Sequence, residues 1–249
     1  MLKEKFNLTG RNALVTGSAR GIGRAIAVAF AEYGAHLTVH GSKESAPLEE
    51  ALALVRAFDP AAEKWVADLR DPAAVETLPK DVDILVCNAS VQSNLKWWDV
   101  PRETVLEQMQ VNFNSTLRMF QLAFPRMKER RWGRLITVGS VQERRPHPEM
   151  PVYAASKSAQ ENLVRNIARQ AAADGVTVNN ICPGVFFTDR NKAALGDPVY
   201  GRRVTDAIPV HCYAMPEDAA GAAVLLASDA GRYITGATIL IDGGLSLPG

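Results

Sequence analysis

The stretch Asn12–Gly23 reads NALVTGSARGIG. A short apolar run, Asn12–Thr16, breaks at Gly17, and the following Ile22–Tyr33 is rich in Ala, Ile, Val and Phe at helical spacing. Gly17, Gly21 and Gly23 therefore fall between a predicted strand and a predicted helix, with Ser18, Arg20 and Ile22 among them. Glycine in that place permits a tight turn and lets the backbone approach a pyrophosphate closely. The helix N-terminus adds unpaired N–H groups and a partial positive charge. The spacing is Gly-x3-Gly-x-Gly, not the Gly-x-Gly-x-x-Gly of the common dinucleotide fingerprint.

The same strand-then-helix alternation continues along the chain. Strands are expected at Ala35–His40, Lys64–Ala67, Val82–Cys87, Arg134–Gly139, Val176–Ile181 and Thr238–Asp242. Helices are expected at Pro47–Phe58, Pro72–Leu78, Pro101–Glu129, Tyr153–Ala173 and Glu217–Ser228. Short apolar strands separated by helices imply a parallel sheet covered on both faces. With right-handed crossovers this is a doubly wound, Rossmann-type α/β fold with a seven-stranded sheet. No repeat or linker divides residues 1–249, so a single domain is expected. Asp189–Tyr213, polar and interrupted by Gly196, Pro198, Gly201 and Pro209, reads as a lid over substrate.

Composition excludes several function classes. A formal net charge of +1 gives no footprint for nucleic acid or an anionic membrane. Cys87, Cys182 and Cys212 are too widely spaced for a disulfide framework or a CxxC metal clip, so no metal is expected. The opening Met1–Gly10 lacks the apolar run of a secretion signal, and no stretch approaches the roughly 20 apolar residues of a membrane span. The expectation is a cytoplasmic protein acting on a small molecule.

In this fold class ligands bind at the carboxyl edge of the sheet. Asp68, with Leu69 beside it, and Asn88-Ala89 lie at predicted strand ends there. Asp68 suits an adenine edge and Asn88 suits holding the loop, although each is also an ordinary cap residue. The second strand ends His40-Gly41-Ser42-Lys43, with no carboxylate before Glu44 to accept from the ribose 2′-hydroxyl of NAD. Ser42, Lys43 and Arg20 would instead donate to a 2′-phosphate. NADP is expected, with NAD as the alternative through Glu44.

Tyr153 and Lys157 stand four residues apart on one helix face. A free phenol, with a pKa of about 10, is a poor acid–base catalyst at neutral pH. Lowering it by about three units needs about 4 kcal/mol, which a neighbouring ammonium and a cationic nicotinamide would supply. Ser140, at a predicted strand end, is placed to hydrogen-bond a substrate oxygen. Asn112, a poor helix former inside a long helix, reads either as a buried, satisfied amide or as a water-holding kink beside Lys157.

These motifs, from about Leu8 to Gly244, resemble the short-chain dehydrogenase/reductase family in its compact form. The resemblance rests on Thr16-Gly17-x3-Gly21-Ile22-Gly23, Asp68, Asn88-Ala89, Asn112, Ser140, Tyr153-x3-Lys157, Pro183-Gly184 followed by Thr188, and Ile239–Gly244. It implies that Tyr153 is the general acid/base and that Lys157 lowers its pKa and holds the nicotinamide ribose. By the same token Ser140 polarises the carbonyl and Asn112 supports a relay water. Val185 and Thr188 would meet the carboxamide, and the chain would assemble as a homotetramer. Ser90 departs from the glycine that the family usually places after Asn-Ala, which implies altered loop geometry.

Ser140-Val-Gln142 and Thr188-Asp-Arg-Asn191 look most like the gluconate 5-dehydrogenase and polyol dehydrogenase branch, implying a sugar, sugar acid or polyol. Gln92, Asn94, Gln142, Arg144, His147 and Arg190 are the candidate substrate contacts; Arg144, Arg145, His147 or Arg190 would meet a carboxylate, or else form a solvated loop. Two other readings compete. A 3-oxoacyl-(acyl carrier protein) reductase shares every core motif and would use Arg130 and Arg131 for docking, although Asp174 is unfavourable there. A non-catalytic NADP-binding regulator is opposed by the intact Ser140, Tyr153, Lys157 and Asn112. Trp97-Trp98 would stack on a sugar ring or, as such pairs more often do, pack against helices or a subunit.

Overall fold

Three runs of the chain are buried at every position: β4 (Ile84–Cys87), β5 (Gly133–Val138) and β6 (Val176–Pro183). Such continuous burial arises when helices cover both faces of a sheet. In the computed structural model, which describes residues 1–248, these strands join β1 (Asn12–Val15), β2 (His36–Gly41), β3 (Glu63–Val66) and β7 (Thr238–Ile241). The seven-stranded sheet has the order β3-β2-β1-β4-β5-β6-β7, and every pairing is parallel. The doubly wound single domain expected from the sequence is the fold observed. Strand order reverses between β1 and β4, which opens the ligand crevice at their carboxyl ends.

The helices are α1 (Gly21–Glu32), α2 (Ala46–Arg56), α3 (Pro72–Val75), α4 (Arg102–Met109), α5 (Ser115–Arg130), α6 (Pro151–Ala171), α7 (Lys192–Leu195), α8 (Pro198–Asp206) and α9 (Ala220–Ala227). Successive strand residues face opposite layers. Ile84, Val86 and Ile136 pack with Phe30 of α1 and Val224 of α9, while Leu85 and Leu135 pack with Phe120 of α5 and Val164 of α6.

Two expected helices differ from the sequence reading. Pro101–Glu129 is not one α-helix: a π-turn at Gln110–Asn114 separates α4 from α5. Glu217–Ser228 opens as a 3-10 turn, Pro216–Ala219, and only then becomes α9. Pro151 occupies the first position of α6, where its missing N–H costs nothing, so Tyr153 lies in the first turn. Among the described residues, no helix is long and apolar enough to cross a membrane.

Candidate active site

The carboxyl ends of β1, β2, β4, β5 and β6 open onto one cleft of about 870 Å³. At its β1 end, side chains from neighbouring strands hold the glycine turn. Asn88 Nδ2 donates to the carbonyls of Thr16 (2.9 Å) and Gly17 (3.2 Å), and the Asn88 and Ala89 amides donate to Thr16 Oγ1. Gly17 has φ +65°, and a Cβ on Gly23 would lie 2.4 Å from Asn88 Nδ2 and 2.6 Å from the Gly17 carbonyl. Only glycine fits at that close approach. The N-terminus of α1 has no side-chain cap, so its first N–H groups are open to an anion in the cleft.

Gly17, Arg20, Gly21, Ile22, Gly23, Ser42, Lys43, Asp68, Leu69, Asn88, Ala89, Pro183, Gly184, Val185 and Thr188 all line this cleft. Ser18 does not. It is fully buried, with its Oγ accepting from the His40 amide at 2.8 Å. His40 borders the cleft, but both ring nitrogens are engaged within the protein. Nδ1 accepts from the Gly17 N–H (2.9 Å), so Nε2 carries the proton and donates to the Ala67 carbonyl (3.0 Å). Burial holds the imidazole down to about 4 and neutral. Ser18 and His40 thus brace the turn and offer no side-chain donor to a cofactor. Glu44, the alternative ribose acceptor, pairs with Lys64 at 2.7 Å. Asp68 receives the Arg70 amide at 3.0 Å, and Arg20 lies 3.8 Å from Asp189.

Ser140 and Tyr153 face the same cleft from β5 and α6. Ser140 Oγ accepts from the Gln142 amide (3.2 Å), which occupies a lone pair and leaves the hydroxyl proton to be donated within the cleft. Burial pushes the Tyr153 phenol above its ordinary value. The charge of Arg190 and hydrogen bonds with Ser140 and Ser90 oppose that rise. In this state burial outweighs the stabilisation of phenolate expected from the sequence. Lys157 lies behind Tyr153, its Nζ 5.7 Å from the ring centroid, and is itself almost wholly buried. Burial lowers its pKa to about 8, with the Glu143 charge acting in the opposite direction.

Lys157 Nζ donates to the Val138 carbonyl (2.7 Å) and to Gln160 Oε1 (2.9 Å). Gln160 Nε2 donates to Thr116 Oγ1 (2.9 Å), which donates to the Asn112 carbonyl (3.1 Å). Asn112 does sit in a helix distortion, but it reaches Lys157 only through these two residues. Its side chain bonds both backbone groups of Val91 (2.9 Å each) and Ser156 Oγ (3.0 Å), pinning the loop after β4. It is thus a buried, satisfied amide and a kink residue together. Sequence reasoning missed Gln160, although its i+3 spacing from Lys157 was the available signal.

At the outer end, Gln92, Asn94, Gln142, His147 and Arg190 line the cleft. Arg144 turns away and pairs with Glu161 (3.0 Å), which also binds Arg165 on the same helix. Its neighbour Arg145 faces the cleft instead, braced by the Leu245 carbonyl (2.8 Å), and Arg203 of α8 also lines the cleft. Arg190 donates to the Ser90 carbonyl (2.9 Å), to Gln92 Oε1 (3.2 Å) and to Ser90 Oγ (3.4 Å), which gives the unusual Ser90 a partner. Trp97 and Trp98 form an exposed T-shaped pair (centroids 5.5 Å apart) off the cleft wall, so the sugar-stacking reading does not fit this arrangement.

A serine hydroxyl, a phenol and a buried ammonium at the switch point of a nucleotide-type cleft can move a proton to or from a substrate oxygen. A family model described as enoyl-(acyl carrier protein) reductase matches residues 17–246. The chain belongs to the short-chain dehydrogenase/reductase family. This dehydrogenase/reductase is 33% identical to the 2-dehydro-3-deoxy-D-gluconate 5-dehydrogenase of Bacillus subtilis (strain 168), over 98% of the chain and 97% of that relative. Among solved structures, it resembles a 3-oxoacyl (acyl-carrier-protein) reductase from Agrobacterium tumefaciens C58 with NADP bound, at 38% identity and TM-score 0.92, covering 98% and 97% of the two chains. It also resembles a gluconate 5-dehydrogenase from Burkholderia cenocepacia J2315 in complex with NADP and tartrate, at 30% identity and TM-score 0.90, with both chains covered in full.

Proposed function

We propose that this protein is an NADP-dependent oxidoreductase that interconverts a secondary alcohol and a ketone on a small polyhydroxylated substrate, with sugar acids preferred. The observation that carries the preference is the charge of the outer cleft. Arg145, Arg190 and Arg203 line it with His147, whereas the cleft carboxylates Asp68 and Asp189 face Arg70 and Arg20. Such a wall favours a carboxylate over a neutral acyl chain. The NADP-bound relatives, the donors Ser42 and Lys43 after β2, and Arg20 at the start of α1 support the choice of cofactor.

The residues present fit a dinucleotide. The uncapped N-terminus of α1 and the turn Gly17–Gly23 would hold its pyrophosphate, Asp68 and Leu69 would border the adenine, and Pro183–Val185 with Thr188 the nicotinamide end. When bound, the nicotinamide supplies the hydride acceptor or donor. Ser140 would donate its hydroxyl proton to the substrate oxygen, orienting the reacting carbon. Tyr153 would take the alcohol proton in oxidation and return it in reduction. Lys157, with two of its N–H donors fixed by Val138 and Gln160, would present the third to a ribose hydroxyl and favour the phenolate. The segment 189–213, whose α7 and α8 form the outer wall, would act as the lid. A cytoplasmic homotetramer is the assembly that family likeness supports, and sedimentation of the native protein tests it.

The test is an absorbance screen at the reduced-nicotinamide band with both cofactors against sugar acids, polyols, aldoses and 3-oxoacyl thioesters. Turnover of a sugar acid with NADP(H) is expected. Arg203→Ala should raise KM for that acid about tenfold, the loss of one charge-assisted hydrogen bond, while leaving a neutral polyol unaffected. Preference for the thioester would move the protein to the 3-oxoacyl reductase reading, which the 38% identity to one such structure favours. A clear NADH preference would overturn the cofactor choice.

A further inference from the structure

Glu143 stands three residues after Ser140 in Ser140-Val-Gln-Glu143, and its carboxylate lies directly beneath the turn that presents the serine. The Ser140 amide donates to Oε1 at 3.0 Å, and Asn180 Nδ2 donates to Oε1 (3.3 Å) and Oε2 (3.1 Å). Thr137 Oγ1 donates to the Asn180 carbonyl oxygen at 2.7 Å, and the amide turns its NH2 toward Glu143. A Cβ on Gly139 would lie 1.8 Å from Glu143 Oε1, so the strand end is glycine where the carboxylate passes. These hydrogen bonds all come from donors, and a shell of donors holds an anion.

A capping box accepts glutamine as readily as glutamate at this position. A carboxylate placed beneath the sheet edge is costlier than an amide, so its presence there points to a use of the charge. Lys157, whose Nζ donates to the Val138 carbonyl, and Glu143, whose carboxylate lies against Gly139, flank the same end of β5, so the two charges act on each other. We propose that Glu143 is a positioning residue of the reaction: it locks the Ser140 turn and sets a negative charge beside Lys157 at the end of β5.

The other groups that face this pair leave the assignment intact. From α6 come Tyr153 and Glu161, from β6 Cys182, from β4 Cys87, and from the adjoining loops Arg144 and Arg190. Burial raises the thiols of Cys87 and Cys182, which keeps both neutral. Glu161 is taken up by Arg144 and Arg165. Burial raises the Glu143 carboxyl above its ordinary value, and the Ser140 and Asn180 hydrogen bonds offset part of that rise. The Glu143 charge favours ammonium at Lys157 and disfavours phenolate at Tyr153, so its removal lowers both pKa values.

The proposal rests on the dehydrogenase reading and is tested on whichever substrate the wild-type protein turns over. Rates for Glu143→Gln, Glu143→Asp and wild type are recorded against pH in both directions. Glu143→Gln keeps the cap and loses the charge, because Asn180 can reverse to accept from the new amide while donating to the Thr137 hydroxyl. Its pH limbs should move to lower pH by on the order of one unit, with the plateau kcat within a few-fold of wild type. Glu143→Asp keeps the charge but falls one methylene short of the Ser140 amide. Its limbs should stay in place while the plateau falls about tenfold. Unmoved limbs in Glu143→Gln would overturn the charge role and reduce the residue to a cap. A collapsed plateau there would show that the amide cannot replace the carboxylate in the turn and would overturn the proposal. Wild-type behaviour in both variants would remove the role altogether. Should Glu143→Gln not fold, Glu143→Asp decides alone: a displaced limb or an undiminished plateau overturns the proposal. Wild-type inactivity on every substrate would instead strike the dehydrogenase reading before any variant is compared.

Discussion

Replacing His40 with glutamine should make the protein less sensitive to acid. The imidazole spans the glycine turn and β3, accepting from the Gly17 amide and donating to the Ala67 carbonyl, with its ring 4.8 Å from that of Trp65. Only the neutral ring can do both, because a protonated Nδ1 would point an N–H at the Gly17 N–H. Burial accordingly lowers the pKa from 6.5 to about 4 in the folded protein. A base whose folded pKa is depressed gives stability that is complete above its unfolded pKa. That stability is lost as pH falls from 6.5 toward 4. At about 1.4 kcal/mol per pH unit, the loss across this window is about 3 kcal/mol. Glutamine has a donor and an acceptor but does not titrate there, so its own cost is independent of pH. Urea unfolding of both proteins from pH 7.5 to 4 separates the two effects, since carboxylates titrate alike in each and cancel. Wild type should lead at neutral pH, and its lead should shrink by about 3 kcal/mol at the acid end. A gap that stays constant or widens on acidification would refute the tautomer assignment.

Two further outcomes follow from the cleft. Tyr153→Phe should lower kcat/KM by roughly 10²- to 10⁴-fold while fluorescence titration shows cofactor binding retained; undiminished turnover would end the acid–base assignment and revive the non-catalytic reading. Hydrogen exchange in 189–213 should slow when cofactor and substrate bind together, because α7 and α8 wall the cleft and Arg190 already anchors the segment to Ser90; exchange unchanged in the ternary complex would count against a lid.

What the sequence made legible was whatever depends on local pattern. VDILVC and RLITVG announce central strands because burial on both faces leaves no polar alternation to confuse them. The glycine turn is equally plain, since its chemistry and its place between strand and helix are read together. Features set by distant partners were not legible. The π-turn at Gln110–Asn114 contains Asn112, whose amide bonds to Val91, 21 residues earlier, and periodicity carries no trace of that bond. His40 read as a cofactor ligand because its strand-end position is right; that its two nitrogens belong to Gly17 and Ala67 is a tertiary fact. The pair Arg144-Arg145 is the sharpest case. Only one of these adjacent arginines faces the cleft, and their local sequence does not favour either. The choice is made on α6, where Glu161 draws Arg144 away and leaves Arg145 to the Leu245 carbonyl and the cleft. A substrate contact inferred from a charged loop therefore remains ambiguous by one residue until the acid on the facing helix is located.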